Sequence, residues 1–217
     1  MSAGFPSVRV AALFVQRFGT YSGIDTVDPW SEACRDARDY HGPHPVVAHP
    51  PCAAWGRYAR RTPESRALGP MLGEDGGCFE SALASVRRWG GVLEHPAASK
   101  AWERFNLPPP RPGGGWSQAL LDGGWVCEVE QGHYGHPAQK PTWLYYVGKS
   151  PPPSLIWGPS TVPGRPWAKA RGVLECLSKN QRAATPPCFA SILIVLAQES
   201  RRPPMAEAIV RANVEGA

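Results

Sequence analysis

Apolar residues are arranged along this chain in two kinds of pattern. Short, nearly all-apolar runs at 8–15 (VRVAALFV) and 46–49 predict strands buried on both faces, the type found in parallel sheets. Longer stretches repeat every three or four residues. Cys78, Phe79, Ala82, Leu83, Val86 and Trp89 predict a helix over 77–89, stopped by Gly90-Gly91. A strongly apolar helix is predicted over 187–199. Asp28-Pro29 joins a good N-cap to a good first helical residue and predicts a helix running on to Tyr40, with Trp30, Ala33, Cys34 and Ala37 on one face. A strand at 91–93 ends at Glu94-His95-Pro96, a short helix lies near 99–105, and strands at 125–129 and 143–147 are joined by a loop. The stretches 107–115 and 151–181 read as irregular surface chain. Strands alternating with helices indicate an α/β domain whose sheet is mostly parallel and flanked by helices.

Composition narrows this picture without changing it. The chain has 217 residues, with 25 prolines, 23 glycines and 9 tryptophans, yet 42% of it is hydrophobic and 10% aromatic. Disordered chains lack such apolar content, so a loop-rich folded domain is expected. The length suits one domain, assigned to residues 1–202, with a polar tail at 203–217. The first residues carry no basic segment followed by an apolar run, and no stretch approaches the ~20 apolar residues of a membrane span. A cytoplasmic protein without a membrane partner is the expectation. The six cysteines form no CxxC pair, which argues for reduced thiols. His41, His44, His49 and Cys52 have zinc-like spacing, but prolines and a buried strand interleave them, so no metal is expected.

Charge adds a partner class. The formal net charge is +5, and Arg57, Arg60, Arg61 and Arg66 cluster in one short segment. That cluster reads either as a solvated loop or as a phosphate-contacting one. Two predicted strands end in reactive groups, Cys52 after Pro50-Pro51 and Glu94. Ligands bind at the carboxyl ends of strands in α/β sheets. A thiol there can act as a nucleophile if nearby positive charge, such as the arginine loop, lowers its pKa, and a neighbouring carboxyl can act as its acid/base partner.

In this order the motifs resemble the DNA cytosine-C5 methyltransferase family, in a short, phage-type form. Pro50-Pro51-Cys52 resembles its Pro-Cys nucleophile motif, and Glu94-His95-Pro96 its Glu-Asn-Val motif. Residues 134–142 followed by Trp143-Leu144-Tyr145-Tyr146-Val147-Gly148 resemble its Tyr-Gly-Val-Pro-Gln-x-Arg-x-Arg segment, and Ala184-Thr185-Pro186-Pro187 its Asn-Ala-Val-Pro-Pro motif. The resemblance implies a shortened Rossmann-like methyltransferase fold. It further implies a base flipped out of DNA, with Cys52 attacking C6, Glu94 contacting N3 and the exocyclic amine, and Lys140 stabilising charge at O2. Arg57, Arg60 and Arg61 would contact the DNA backbone. S-adenosylmethionine is the implied cofactor, beside Phe14, Thr185 and an acid, Asp28 or Asp25. The glycines after the first strand, Gly19 and Gly23, depart from the family's Phe-x-Gly-x-Gly loop, Thr142 replaces an Arg, and 149–182 is only a vestige of a target-recognition domain. Three forms follow: a cytosine-C5 methyltransferase, a cofactor-independent transferase acting on C5 of another pyrimidine such as thymidine, and a catalytically silent DNA-binding relative.

Overall fold

The computed structural model describes residues 8–56, 59–64, 69–162 and 177–201. Its centre is one seven-stranded sheet. The strands are β1 (Val10–Leu13), β2 (Val27–Trp30), β3 (Val46–Ala48), β4 (Gly91–Pro96), β5 (Ser117–Gln118), β6 (Trp125–Glu130) and β7 (Pro141–Val147), in the order β2-β1-β3-β4-β7-β6-β5. The pairings β1–β2, β1–β3 and β3–β4 are parallel, whereas β4–β7, β6–β7 and β5–β6 are antiparallel. The fold is therefore α/β with a mixed sheet, not a mostly parallel one. Strand β7 follows β6 through the ten-residue connection 131–140, too short for a helical crossover, and so returns in the opposite direction.

Alternation along the strands sorts the core into two layers. Ala11, Leu13, Val46, Ala48 and Leu93 face Phe79, Leu83 and Val86 of helix α1 (Cys78–Trp89) and Trp102 of α2 (Lys100–Arg104). Val10, Ala12, Val47 and Val92 face the other way, onto Phe189, Leu193, Leu196 and Ala197 of the last long helix (Pro187–Glu199). That helix is α4, after the short α3 (Lys179–Ala183), which the periodicity did not predict. Central strands buried on both faces explain the nearly all-apolar runs.

The expected helix over 29–40 is not formed. Val27–Trp30 is instead a strand paired in parallel with β1, and only Ala37–Asp39 makes a 3₁₀ turn. Pro29 is tolerated because β2 is an edge strand, where a missing N–H breaks no second ladder. Asp28 does not cap a helix. Its carboxylate accepts from the Trp30 indole at 2.9 Å and is ion-paired to Arg35, whose guanidinium stacks on the Trp30 ring. Strand β4 also runs further than expected, so that Glu94 and His95 lie within it.

Asp75 organises the start of α1. One carboxylate oxygen accepts from the Phe79 N–H and from the Trp55 indole, both at 2.8 Å, and the other accepts from the Gly77 N–H at 3.0 Å. Trp55 is buried, and its own N–H closes a turn onto the Cys52 carbonyl at 3.0 Å. Asp75→Ala thus removes a helix cap and strands a buried indole N–H. The expected cost is about 2–4 kcal/mol, read by thermal melting, and an unchanged melting curve would show that Asp75 does not anchor this segment.

Candidate active site

Strand β1 is the point where the sheet order reverses: β2 lies on one side of it and β3 on the other. Such a switch point opens a crevice at the carboxyl ends of the strands. A cavity of about 440 Å³ lies there, within the usual range for small-ligand sites. Phe14 and Val15 follow β1 into its wall, His49 to Cys52 follow β3, and Glu94 comes from β4. Lys140, immediately before β7, and Thr185, before α4, complete it. Five of the sequence-derived candidates, Cys52, Glu94, Lys140, Phe14 and Thr185, therefore meet in one place.

Others do not. Asp28 is absent from the cavity wall and is held by Arg35 and Trp30. Arg60 and Arg61 lie outside the wall as well. The backbone of Arg60 pairs with Pro70 and Leu72, and Arg61 is exposed. Arg57 lies outside the described residues, as do 163–176 of the stretch expected to be a vestigial insert and the tail at 203–217. Among the described residues, no three His, Cys, Asp or Glu side chains gather closely enough to hold a metal ion. His49, one member of the zinc-like run, is engaged elsewhere.

That engagement is the feature the sequence did not disclose. Glu94 is 8% exposed, and its two oxygens contact different partners. His49 Nδ1 lies 3.0 Å from Oε2, and Gln131 Nε2 donates to Oε1 at 3.1 Å. Behind His49, its Nε2 meets the Tyr21 hydroxyl at 2.7 Å. Behind Gln131, the same amide nitrogen donates to Thr142 Oγ1 at 2.9 Å, and the Thr142 hydroxyl donates to the Lys140 carbonyl at 3.0 Å. The only advance sign was that His49, like Glu94, closes an apolar run read as a strand, on the carboxyl side where ligands bind in α/β sheets.

Charges follow this geometry. Burial would raise the Glu94 pKa, but the His49 hydrogen bond and the positive charge of Lys140 outweigh it and hold the carboxyl below its ordinary value. Burial lowers the Lys140 pKa, opposed by Glu94 and Cys52. Two of its ammonium hydrogens go to the Ala184 and Ala183 carbonyls, at 3.0 and 3.4 Å. Cys52 is an exposed residue with a partly enclosed thiol. Desolvation and the Glu94 charge raise its pKa, and Lys140 pulls it down. This corrects the expectation of a thiol activated by the arginine loop: among the described residues the cation that acts on it is Lys140, and the net effect is upward. The dense surroundings and the adjacent carboxylate together explain that direction.

The chain matches no known family model and no curated protein. No helix among the described residues is long and apolar enough to cross a membrane.

Proposed function

We propose that the protein modifies position 5 of a pyrimidine in DNA, by adding the Cys52 thiolate to C6 of a base turned out of the duplex. The observation that carries this reading is the convergence of Cys52, Glu94 and Lys140 on one cavity at the sheet's switch point. Carbon 5 is a poor nucleophile until a thiolate occupies C6. The C5=C6 electron pair then becomes available at C5, and the charge spreads onto the ring's polar edge. Glu94 is placed to hold that edge, and Lys140 supplies a cation for the charge. The base must leave the stack to reach Cys52. The exposed Arg61 and, in the cavity wall, Arg182 are available to the phosphates.

Methyl transfer would need S-adenosylmethionine, and the residues present do not fit it. Asp28, the expected ribose partner, is turned onto Arg35 and Trp30 away from the cavity, and Asp25 is exposed outside its wall. The loop after β1 is also closed on itself. A Cβ at Gly19 would lie 3.1 Å from the Gln16 Cβ, and the Thr20 hydroxyl donates to the Thr185 carbonyl at 2.8 Å. The misfit favours the cofactor-independent form of C5 chemistry.

The test needs no donor. Reversible addition to C6 exchanges the hydrogen on C5 with water, so DNA carrying tritium at C5 of cytosine or uracil is expected to release it to solvent. Because the thiol pKa is raised, the rate should climb by about tenfold per pH unit through neutral pH and level off only above the ordinary thiol value. Retention of tritium in both bases between about pH 7 and 9.5 would sink the enzyme and leave a protein that only holds a base.

A further inference from the structure

The direction of the hydrogen bonds around Glu94 identifies the base more closely. Tyr21 keeps its proton, because burial and the Glu94 charge raise its pKa far above 10.0. The ionised Glu94 Oε2 can only accept, so the ring proton of His49 sits on Nδ1, and Nε2 of the neutral ring is then the acceptor for the Tyr21 hydroxyl. On the other side the Thr142 hydroxyl is committed to the Lys140 carbonyl, so its oxygen accepts from Gln131. The amide NH2 of Gln131 consequently faces Glu94 Oε1. Two chains of donors end on one carboxylate, from opposite sides. Glu94 is the acceptor on which the network terminates, and its remaining lone pairs are available to a ligand that brings N–H groups.

We propose, resting on the reading above, that the base bound here is a 2,4-dioxopyrimidine, of the uracil or thymine type, and not cytosine. A dioxopyrimidine presents N3–H, which an ionised carboxylate can accept. Cytosine offers it only the exocyclic amine and sets a bare N3 lone pair against it, and its C6 adduct is stabilised only if an acid delivers a proton to N3. Glu94 is held in its ionised form by the His49 hydrogen bond and the Lys140 charge and has no such proton to give.

The adduct of a dioxopyrimidine balances without an acid. The Cys52 sulfur forms a bond to C6, the C5=C6 pair shifts toward C4, and the C4=O4 pair moves onto O4, giving an enolate. That negative charge is met by the Lys140 ammonium, which the Ala183 and Ala184 carbonyls pin at the cavity wall. A proton from water then adds to C5. Loss of the other C5 hydrogen and expulsion of the thiolate restore the ring. The charged and titratable groups acting on Glu94 are His49, Lys140, Cys52, Tyr21 and, from the opposite face of β4, His95. Burial keeps His95 neutral with a pKa of about 4, so the proton balance at neutral pH is set by the others.

The measurement is a competition between two otherwise identical DNA strands, one carrying 5-tritiated deoxyuridine and the other 5-tritiated deoxycytidine at a single site. Deoxyuridine should release tritium at least about tenfold faster, the order of discrimination expected when the wrong ligand leaves a buried polar group unpaired. His49→Leu removes one donor chain and lets Glu94 take up a proton, so the preference should fall severalfold as cytosine gains. A purely structural defect would slow both bases alike and leave the ratio unchanged, which would overturn the role assigned to His49. Equal release, or faster release from deoxycytidine, overturns the dioxopyrimidine assignment and leaves C6 addition standing. No release from either base removes the underlying reading itself.

Discussion

Cys52→Ala is expected to abolish hydrogen exchange at C5, and Glu94→Gln to slow it by about 10²–10³-fold, the usual worth of one polar group positioned to stabilise a reacting species. The two should differ in every other respect. Cys52 is exposed and outside the core, so its alanine variant should melt with the native protein. Glu94 is buried between two donors. A glutamine there must turn its own NH2 toward either His49 or Gln131, leaving donor against donor, at a cost of about 1–3 kcal/mol. It also removes the negative charge that raises the Cys52 pKa. Alkylation of Cys52 by iodoacetamide at neutral pH should therefore accelerate in Glu94→Gln, by up to about tenfold for each pK unit released, even as exchange slows. Opposite signs in the two assays separate handling of the base from activation of the thiol. If exchange is unimpaired in Glu94→Gln, the carboxylate takes no part in the chemistry.

Gly91→Ala should be the most damaging single methyl addition in the sheet. Gly91 opens β4 with a φ of 119°, a region closed to side chains, and a Cβ there would lie 2.0 Å from the Val46 carbonyl oxygen and 2.6 Å from its nitrogen. Val46 is the direct partner of Gly91 in the β3–β4 ladder, so neither strand can move aside without breaking the pairing. Backbone strain and overlap each contribute about 1–3 kcal/mol, for a total of about 3–6 kcal/mol and a fall in Tm of roughly 10–20 °C. The consequence reaches the site, because the β3–β4 register sets Cys52 against Glu94. A variant that melts within about 2 °C of the native protein would mean that this backbone does not need its glycine.

Legibility from sequence followed the range of the interactions involved. Helix α1 was readable because a repeat of three to four residues is a local property and the helix buries the stripe it creates, and α4 because it is apolar along most of its length. The segment after Asp28 was misread for the complementary reason. Its capping signal is also local, but a place at the sheet edge beside β1, with Arg35 drawn over Trp30, outweighed it. Candidate chemistry behaved alike. Cys52 and Glu94 were visible because each follows an apolar run that reads as a strand, and Lys140 and Thr185 were carried by motif order. Asp28 failed because its partner, Arg35, was invisible to any pattern.

The sequence by itself determined an α/β chain, the positions of most of its strands and long helices, and a thiol and a carboxyl after apolar runs that read as strands. Alternating and helical periodicities are written residue by residue, and so survive without three-dimensional context. Only the tertiary structure decided that β7 runs back against β4 to make the sheet mixed, that Asp28 is turned from the cavity, and that Tyr21, His49, Gln131 and Thr142 aim their hydrogen bonds at Glu94. Those outcomes depend on which residues, distant in the chain, become neighbours once both faces of the sheet are buried. The protonation of a buried carboxylate is set by such neighbours, not by its own position in the sequence.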